Sequence, residues 1–289
     1  MIEDKSVLIT GAASGMGLET VKRFERDRRY TQIYAADKDP NVLDVFTASQ
    51  HPSVIAMQVD IRNGNESANM FARVRAETQQ LNVLVNCAGS IIAGDEVSPA
   101  ATVQLRDLNE VNYVGQMKIM FWAETMMESQ GGGTIINITS SKDYFPDPYR
   151  FEYMLSKMKF EEMSLDARRR HQESEDGVRI VVVKPGNTKT GIDHGLWTEG
   201  SNPDEMQAVQ GFNDWWRKTF GNDPRNVAET IYRIAEGEID KDKVHVGIDA
   251  QLGNILVKFP PWRIMFFLGS LGMYEVVKQA SHFRKKLLR

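Results

Sequence analysis

The amino-acid sequence predicts an α/β fold, with a doubly wound parallel sheet of seven strands in a single domain and an extended C-terminal tail. Two observations predict this fold. Seven short runs are rich in Val and Ile, and most of the segments between them are long enough to contain a helix. Parallel strands need crossover connections of this kind, and the crossover helices then cover both faces of the sheet.

The seven predicted strands are short and rich in β-branched side chains. They are residues 6–10, 32–36, 54–59, 83–86, 134–139, 179–184 and 243–247. Two segments fit the alternation of strand and helix badly, namely residues 190–223 and the tail after Asp249. We therefore expect one domain over residues 1–249, with residues 190–223 as an addition to its sheet, and a C-terminal extension over residues 250–289.

Composition and charge exclude several classes of protein. The net charge of −4 and pI near 5.8 give no general attraction to nucleic acid. Cys87 is the only cysteine, so no disulfide forms within the chain. The N-terminus lacks the charged and then apolar pattern of a signal peptide, which predicts an intracellular, cytoplasmic protein. The apolar stretch at 255–274 contains two prolines and two basic residues, which argues against a membrane span. The five histidines lack metal-ligand spacing, so no metal site is expected.

A glycine-rich turn follows the first predicted strand. The segment from Thr10 to Gly17 contains Gly11, Gly15 and Gly17, and a helix-favouring sequence comes next. Glycines let the backbone turn tightly and approach a ligand, and the free N–H groups at a helix start bind phosphate. The pattern predicts a Rossmann-like dinucleotide site, although helix capping or packing also explains many glycine turns.

An acidic residue at the end of the second predicted strand bears on the choice of cofactor. Asp37 lies 20 positions after Gly17. A carboxylate there accepts hydrogen bonds from the ribose hydroxyls and repels a 2′-phosphate, while the neighbouring Lys38 partly offsets that repulsion. We therefore expect NAD rather than NADP. The alternative is that Asp37 and Asp39 only form a polar turn.

Three residues form a candidate reaction centre. Tyr153 and Lys157 are four positions apart, which places both side chains on one face of a helix. A free tyrosine titrates near pH 10, so a proton-transferring tyrosine needs a neighbouring positive charge to lower its pKa. Ser140 ends the fifth predicted strand, where its hydroxyl can bind a substrate oxygen, and Ser141 is the nearby alternative. A tyrosine and a lysine at this spacing are also common on purely structural helices.

In combination, these motifs resemble those of the short-chain dehydrogenase/reductase family. The glycine turn is similar to the TGxxxGxG motif, and Tyr153 with Lys157 is similar to YxxxK. Three further segments match in order, and they are Asp60-Ile61 for the adenine-contacting pair, Asn86-Cys87-Ala88-Gly89 for NNAG, and Pro185-Gly186 for the PG motif. The resemblance covers roughly residues 5 to 190 and is specific in combination.

The resemblance implies roles for individual residues. The catalytic set that it implies is Asn112, Ser140, Tyr153 and Lys157, in which Asn112 kinks a helix and holds a water in a proton relay to the lysine. The cofactor contacts that it implies are Gly11, Ser14, Gly15, Met16, Gly17, Asp37, Asp60, Ile61, Asn86, Ala88, Gly89, Tyr153, Lys157, Pro185, Gly186, Thr188 and Thr190. Thr188 replaces a usual aliphatic residue, so we expect its backbone to matter more than its side chain. Cys87 replaces an asparagine, and we expect a small buried side chain beside the adenine site rather than a nucleophile.

The function that follows is an NAD(P)-dependent oxidoreductase that interconverts a secondary alcohol and a ketone, with Tyr153 as general acid and base. Ser140 would hold the substrate oxygen, and Lys157 would lower the tyrosine pKa. Two alternatives stay open, an epimerase or dehydratase that uses bound NAD, and a non-catalytic NAD-sensing protein. A sensor needs the glycine turn and Asp37 but not Tyr153 with Lys157.

The predictions for the substrate-binding side and for the oligomeric state rest on the same resemblance. The family places a mobile substrate loop after the PG motif, which predicts a lid at about residues 190–223. Its aromatic side chains suggest a bulky hydrophobic substrate, or else they pack on the core. They are Trp197, Phe212, Trp215, Trp216 and Phe220. The 250–289 extension is expected to pack on the domain, on a partner subunit or on a membrane surface. A homodimer or homotetramer is expected through long helices at about 101–128 and 149–170.

Overall fold

The computed structural model describes residues 4–93, 99–144, 148–191 and 203–258. Over these residues the chain forms a seven-stranded parallel sheet with the strand order β3-β2-β1-β4-β5-β6-β7. The strands are β1 Lys5–Thr10, β2 Tyr30–Asp37, β3 Val54–Gln58, β4 Val83–Asn86, β5 Gly133–Ile138, β6 Val178–Pro185 and β7 Lys243–Val246. The predicted doubly wound, Rossmann-like fold is therefore confirmed.

Helices connect the strands along the described parts of the chain. They are α1 Gly15–Glu25, α2 Asn41–Val45, α3 Gly64–Glu77, α4 Pro99–Asn109, α5 Gln116–Gln130, α6 Phe151–Ser174, α7 Pro203–Phe220, α8 Pro224–Ala235 and α9 Ile248–Leu256. A π-helical segment, Glu110–Gly115, joins α4 to α5, and a 3₁₀ turn, Pro148–Arg150, precedes α6.

Alternating side chains along each strand create a core on both faces of the sheet. In β1, Val7 and Ile9 join the core under α1 and α8, whereas Leu8 joins the core under α3, α5 and α6. All three side chains are fully buried. Burial of one such side chain contributes about 1.5–3 kcal/mol, so both faces drive the helices onto the sheet. Strands that are apolar on both faces are typical of a parallel sheet.

The strand order places a crevice beside β1. The chain passes from β1 to β2 and β3 on one side, and it then crosses to β4, β5, β6 and β7 on the other side. In open α/β sheets a ligand binds outside the carboxyl ends of the strands at such a switch point. The turns after β1, β4, β5 and β6 therefore converge on the place where a dinucleotide is expected.

The two segments that fit the alternation badly are only partly described. Residues 203–220 of the predicted lid form α7, while Trp197 lies outside the described residues. The extension begins with α9, and most of it, residues 259–289, lies outside the described residues. The lid, the domain boundary at 249 and the packing of the extension stay predictions. Among the described helices, none combines the length and the hydropathy needed to cross a membrane.

Candidate active site

The turn after β1 has the geometry that a close approach of backbone to ligand requires. Gly11 and Gly15 adopt positive φ angles of 72° and 56°, which side chains other than glycine rarely tolerate. A methyl group on Gly11 would lie only 2.8 Å from the backbone of Ala88, and one on Gly17 would collide with the carbonyl of Gly11. Gly11 and Gly17 are therefore required by the close packing of the turn, and Gly15 is favoured by its backbone conformation.

The N-terminal end of α1 is not capped by the side chain of its N-cap residue. Its N-cap residue, Ser14, is exposed and makes no capping hydrogen bond, and the first turn contains no acidic side chain. The contrast is α3, where Asn63 caps the helix and Glu66 lies in the first turn. Unsatisfied N–H groups at a helix start attract phosphate oxygens. Met16, in the same turn, is partly buried against the core.

Asp37 lies beside the glycine turn, as the sequence indicated. One carboxylate oxygen accepts a hydrogen bond from the backbone N–H of Ala13 at 2.9 Å, and the other accepts one from Asp39 at 3.0 Å. Asp37 is half-buried, whereas Lys38 is exposed. The side chain therefore contributes to the shape of the turn, and its charge stands at the end of β2, where the ribose of a dinucleotide is expected.

Asn86 lies at the end of β4, and its side chain is used within the protein. It accepts a hydrogen bond from Thr10 Oγ1 at 3.3 Å and donates one to the backbone carbonyl of Gln116 at 2.7 Å. Thr10 in turn accepts hydrogen bonds from the backbone of Cys87 and Ala88, and the Gln116 amide donates to the Ala88 carbonyl. This network fixes the turn after β4 against the glycine turn.

Cys87 is half-buried in the turn after β4. Burial raises the pKa of its thiol to about 12, even though the nearby positive charge of Lys157 acts in the opposite direction. The thiol is therefore protonated near neutral pH and is a poor nucleophile, as expected from the sequence.

A π-helical segment carries Asn112, and such segments are frequent at functional sites. The fully buried Asn112 side chain accepts a hydrogen bond from the Ser90 N–H and donates one to the Ser90 carbonyl, both at 2.8 Å. It also donates to Ser156 on α6 at 3.1 Å. Gly115 permits the close packing of this segment, because a methyl group there would lie 3.0 Å from the carbonyl of Ile61.

Tyr153 and Lys157 lie on the inward face of α6, and both are buried. Tyr153 packs against Ile91 and Leu108. The ammonium of Lys157 donates a hydrogen bond to the Ile138 carbonyl at the end of β5, at 3.1 Å. The predicted helical spacing therefore directs both side chains toward the carboxyl ends of β4 and β5.

Lys157 also adjoins the turn after β4. A methyl group on Gly89 would lie 3.2 Å from Lys157 Nζ and 3.5 Å from Asn112 Oδ1, so these three expected site residues meet at one point. Burial lowers the pKa of Lys157 to about 8, and the nearby Cys87 acts in the opposite direction. Lys157 therefore stays mostly protonated near pH 7 and carries a poorly solvated positive charge one helical turn from Tyr153.

Ser140 follows β5 by two residues and is half-buried. Its Oγ accepts a hydrogen bond from the backbone N–H of Lys142 at 3.2 Å. Ser141, the alternative considered from the sequence, is more deeply buried, and its N–H binds the Pro185 carbonyl at 3.1 Å. The greater exposure of Ser140 favours its hydroxyl as the substrate-facing group.

The segment after β6 is held by a residue that the sequence motifs did not indicate. Asp249 accepts a hydrogen bond from the backbone N–H of Asn187 at 2.7 Å and lies against Gly186, where a methyl group would collide with its carboxylate. The Thr188 hydroxyl donates to the Gly186 carbonyl at 3.0 Å. Thr190 reaches the glycine turn, because a methyl group on Gly15 would lie 3.2 Å from its side chain.

Asp60 and Ile61 lie after β3. The Asp60 carboxylate accepts hydrogen bonds from the Arg62 guanidinium, at 2.6 Å to Nη2, and from the Arg62 backbone N–H at 3.0 Å. These bonds hold the Asp60 pKa below its usual value. Asp60 therefore bears a charge that is already paired, and Arg62, which the sequence motifs did not indicate, shares the place expected for the adenine.

Some residues that contribute to the site were not predicted from the sequence, and they differ in how clearly their sequence context indicates a role. Asp249 follows β7 closely, so the rule that found Ser140 at a strand end could also have found it. Thr10 belongs to the glycine motif, but the groups that its hydroxyl contacts lie at the end of β4 and in the turn after it. Gln116 gives no signal, because nothing in its sequence context shows that its amide reaches Ala88. Of the described residues, one group brings potential metal-ligand atoms within 4.8 Å of one another, namely Glu128, His171 and Asp176.

Comparisons with known proteins agree with this arrangement. The family model described as short chain dehydrogenase matches residues 5–200. The 2,3-dihydro-2,3-dihydroxybenzoate dehydrogenase of Escherichia coli is 28% identical over 237 residues, covering 80% of this chain and 89% of that protein. The chain therefore belongs to the short-chain dehydrogenase/reductase family of oxidoreductases.

Two solved structures show the same fold with a bound nucleotide. A short-chain dehydrogenase/reductase from Burkholderia phymatum in complex with NAD has a TM-score of 0.72 at 19% identity, covering 84% of this chain and 89% of that one. A short-chain dehydrogenase from Burkholderia cenocepacia in complex with NADP has a TM-score of 0.65 at 22% identity, covering 87% and 91%. At these identities the likeness establishes the fold alone.

Proposed function

We propose that this protein is an NAD-dependent dehydrogenase or reductase that interconverts a secondary alcohol and a ketone, with Tyr153 as the proton-transfer group. The observation that carries the proposal is the burial of Lys157 beside Tyr153, at the ends of β4 and β5. A buried ammonium that lacks a carboxylate partner among its described contacts is costly, and it is retained where it serves chemistry.

The residues present fit a nicotinamide dinucleotide. Gly11, Gly15 and Gly17 leave the turn without side chains at three positions, and α1 begins there without a side-chain cap. The glycine turn would hold the pyrophosphate, Asp37 the adenosine ribose, and Lys157 the second ribose. When bound, the nicotinamide takes up or supplies the hydride of the alcohol carbon.

The chain's own residues handle the proton and the substrate oxygen. During oxidation the alcohol loses a hydride from carbon and a proton from oxygen, and Tyr153 as phenolate accepts that proton. The Ser140 hydroxyl donates a hydrogen bond to the same oxygen and keeps it near Tyr153. Lys157 lowers the pKa of Tyr153 through its positive charge. Reduction reverses each of these transfers.

Asn112 has a positioning role in this scheme. Its side chain ties Ser90, after β4, to Ser156 on α6, and so it links the two segments that carry Gly89 and Lys157. We propose that the π-helical backbone at Asn112 also binds the water that passes protons to Lys157, as the family resemblance implies.

The three candidate functions, a dehydrogenase or reductase, an epimerase or dehydratase, and a sensor, differ in whether the reaction produces or consumes NADH. Purified protein should reduce NAD, measured by absorbance of NADH, with a member of a panel of cyclic secondary alcohols. The panel includes 2,3-dihydro-2,3-dihydroxybenzoate, the substrate in the name of the E. coli relative, with 1-indanol and cyclohexanol; the matching ketones are tested with NADH. Conversion of an alcohol without net change in NADH would favour an epimerase or dehydratase. Firm NAD binding without any hydride transfer would favour a sensor.

The choice of NAD is tested at Asp37. Asp37→Asn removes the negative charge at nearly constant size, and its single amide oxygen keeps one of the two backbone hydrogen bonds, from Ala13 or from Asp39. Because two like charges several ångströms apart repel by a few kcal/mol at a protein surface, we expect the ratio of kcat/KM for NADP over NAD to rise by about 10- to 100-fold. The measurement is steady-state kinetics with both nucleotides.

The matched control for this change is Asp39→Asn, two residues further on. Asp39 is exposed and accepts a hydrogen bond from the Asn41 backbone at 3.0 Å. Its change should leave the ratio within about two-fold of the starting protein, because the side chain binds only the local backbone at the start of α2 and makes no described contact with the glycine turn. A wild-type preference for NADP would reject the assignment of Asp37.

The quaternary arrangement stays a prediction. Exposed apolar side chains occur on α5 and α6, where the sequence places the subunit contacts, and they include Phe121, Trp122 and Met158. Such exposed groups are consistent with an interface between subunits.

A further inference from the structure

A buried charged cluster lies next to the proposed site and takes no part in the chemistry above. Lys184 on β6 is 1% exposed, and its ammonium binds two carboxylates, Asp143 Oδ2 at 2.9 Å and Glu161. The second oxygen of Glu161 accepts a hydrogen bond from Lys243 on β7 at 2.7 Å. The charges of the cluster are balanced, with two ammonium and two carboxylate groups.

A contribution to the stability of the fold is a weak explanation for the presence of this buried cluster. Desolvation of a buried ion pair offsets most of its attraction, and apolar side chains of similar volume often stabilise a core equally well. Buried polar networks, when satisfied, instead specify one arrangement of the segments that they join. The segments joined here are therefore informative.

The cluster joins the two segments that carry the proposed reaction centre. Asp143 lies three residues after Ser140. Glu161 lies on α6, one helical turn after Lys157 and two after Tyr153, so it shares their inward face. Lys184 therefore connects the serine loop directly to the helix that carries the tyrosine and the lysine.

A second contact holds the same loop. The Tyr144 hydroxyl is hydrogen-bonded to Nε2 of His245 on β7 at 2.7 Å, and Lys184 Nζ lies 4.7 Å from the centre of the Tyr144 ring. Burial and the neighbouring lysines lower the pKa of His245 to about 4, so its ring is neutral near pH 7. The loop after Ser140 is thus attached to β6 and β7 within two consecutive residues, and to α6 through Lys184.

We propose that Lys184, with Asp143 and Glu161, is a positioning group that fixes the Ser140 hydroxyl relative to Tyr153. The proposal rests on the proposed function of Ser140. Placement of reacting groups is sensitive to small displacements, and an error of about 1 Å costs on the order of 10²-fold in rate. A loop released from Lys184 allows such displacements of Ser140.

The first test measures the loop itself and needs no substrate. In Lys184→Met, amide hydrogen exchange over residues 139–144 should accelerate at least about 10-fold. Three amides there donate to backbone carbonyls, Thr139 to Val183, Ser141 to Pro185, and Tyr144 to Ser141, and the Lys142 amide donates to Ser140 Oγ. Unchanged exchange in this segment overturns the proposal.

The matched control is Arg168→Met, at the other end of the same helix and strand. Arg168 is also a buried cation, which donates to the Ile180 carbonyl at 2.6 Å and pairs with Asp242 at 2.7 Å. Its change should leave exchange at 139–144 unaltered. Equal acceleration in both variants would indicate general loosening and would overturn the proposal. If Lys184→Met does not fold, Asp143→Asn weakens one contact at constant size, because a neutral amide replaces the carboxylate charge, and we expect the same acceleration on a smaller scale.

The second test measures turnover in a double-mutant cycle with Ser140→Ala, on the panel substrate with the highest kcat/KM. In the starting protein, Lys184→Met should lower kcat by about 10- to 100-fold and leave the KM for NAD unchanged. In the Ser140→Ala variant, the same change should lower kcat by less than about three-fold. Additive losses would show that Lys184 does not act through Ser140. Full turnover in Ser140→Ala itself would instead reject the proposed role of the serine, while the exchange result still decides the anchoring.

Discussion

Replacing Tyr153 with phenylalanine should lower turnover by about 10²- to 10⁴-fold, because the ring remains but no group can transfer the hydroxyl proton. The fold should persist, since the ring of Tyr153 packs against Ile91 and Leu108 and phenylalanine preserves that contact. NAD affinity should change little, since Gly11 and Asp37 are untouched. The measurement is kcat on the panel substrate, with NADH binding followed by its fluorescence.

Tyr34→Phe provides the matched control for this variant. Tyr34 is a fully buried tyrosine on β2, in the core under α3 and α5, and burial raises its pKa to about 12. Loss of its hydroxyl should leave kcat within about two-fold of the starting value, because it faces the core and not the crevice. Near-normal turnover in Tyr153→Phe would remove the proposed mechanism, whatever the control shows.

Local sequence patterns sufficed for the fold and for the positions of the main motifs. The alternation in β1, with Val7 and Ile9 on one side and Leu8 on the other, is visible in the sequence because side chains alternate along every strand. The glycine turn and the pair Tyr153 and Lys157 are equally local, since each depends on residues at most seven positions apart. These features could be predicted because their geometry follows from spacing alone.

Contacts between distant residues could not be predicted in this way. Thr10 and Asn86 are 76 positions apart, and their hydrogen bond becomes visible only once β1 and β4 are neighbours. The same holds for Lys184, whose partners Asp143 and Glu161 lie on a loop and a helix. The sequence shows a lysine within a strand of valines, but not the two carboxylates that compensate its burial.

For the site residues, too, the sequence predicted positions along the chain but not the contacts of the side chains. Gly89, Asn112 and Lys157 were expected separately, and the structure brings them together at one point. Asn86 and Asp60 were expected to contact the cofactor, yet the described hydrogen bonds of their side chains are made to Thr10 and Gln116 and to Arg62, respectively. A motif gives the position of a residue along the chain, whereas the partners of its side chain depend on the packing around it.

Replacing Lys157 with methionine should destroy activity and stabilise the fold of the free protein. Turnover should fall by about 10²-fold or more, because Tyr153 loses the charge that lowers its pKa. The ammonium is buried, and its pKa of about 8, against 10.5 for a solvated lysine, corresponds to about 3 kcal/mol of destabilisation at pH 7. Methionine removes that cost but leaves the Ile138 carbonyl without its donor, which costs about 1 kcal/mol.

The net gain of about 2 kcal/mol should appear as a rise in Tm of several degrees at pH 7. The pH dependence gives the sharper test. Because the folded pKa lies below the unfolded one, the unfolded chain holds the extra proton between about pH 8 and 10.5, and the contribution of Lys157 to stability must increase with pH across that window. Below about pH 8 both states are protonated, and the full penalty applies.

The difference in stability between Lys157→Met and the starting protein should therefore be largest at pH 7 and shrink toward pH 10, measured by urea unfolding at each pH. Lys159→Met is the matched control, because Lys159 lies two residues further along α6 and is exposed; the change should alter the free energy of unfolding only slightly. A destabilised Lys157→Met at pH 7 would contradict the argument, since it would mean that the ammonium is held by favourable contacts rather than tolerated for its effect on Tyr153. A stabilised but inactive variant would show that Lys157 is needed for the reaction and not for folding. The buried charge then destabilises the folded protein and serves only the reaction.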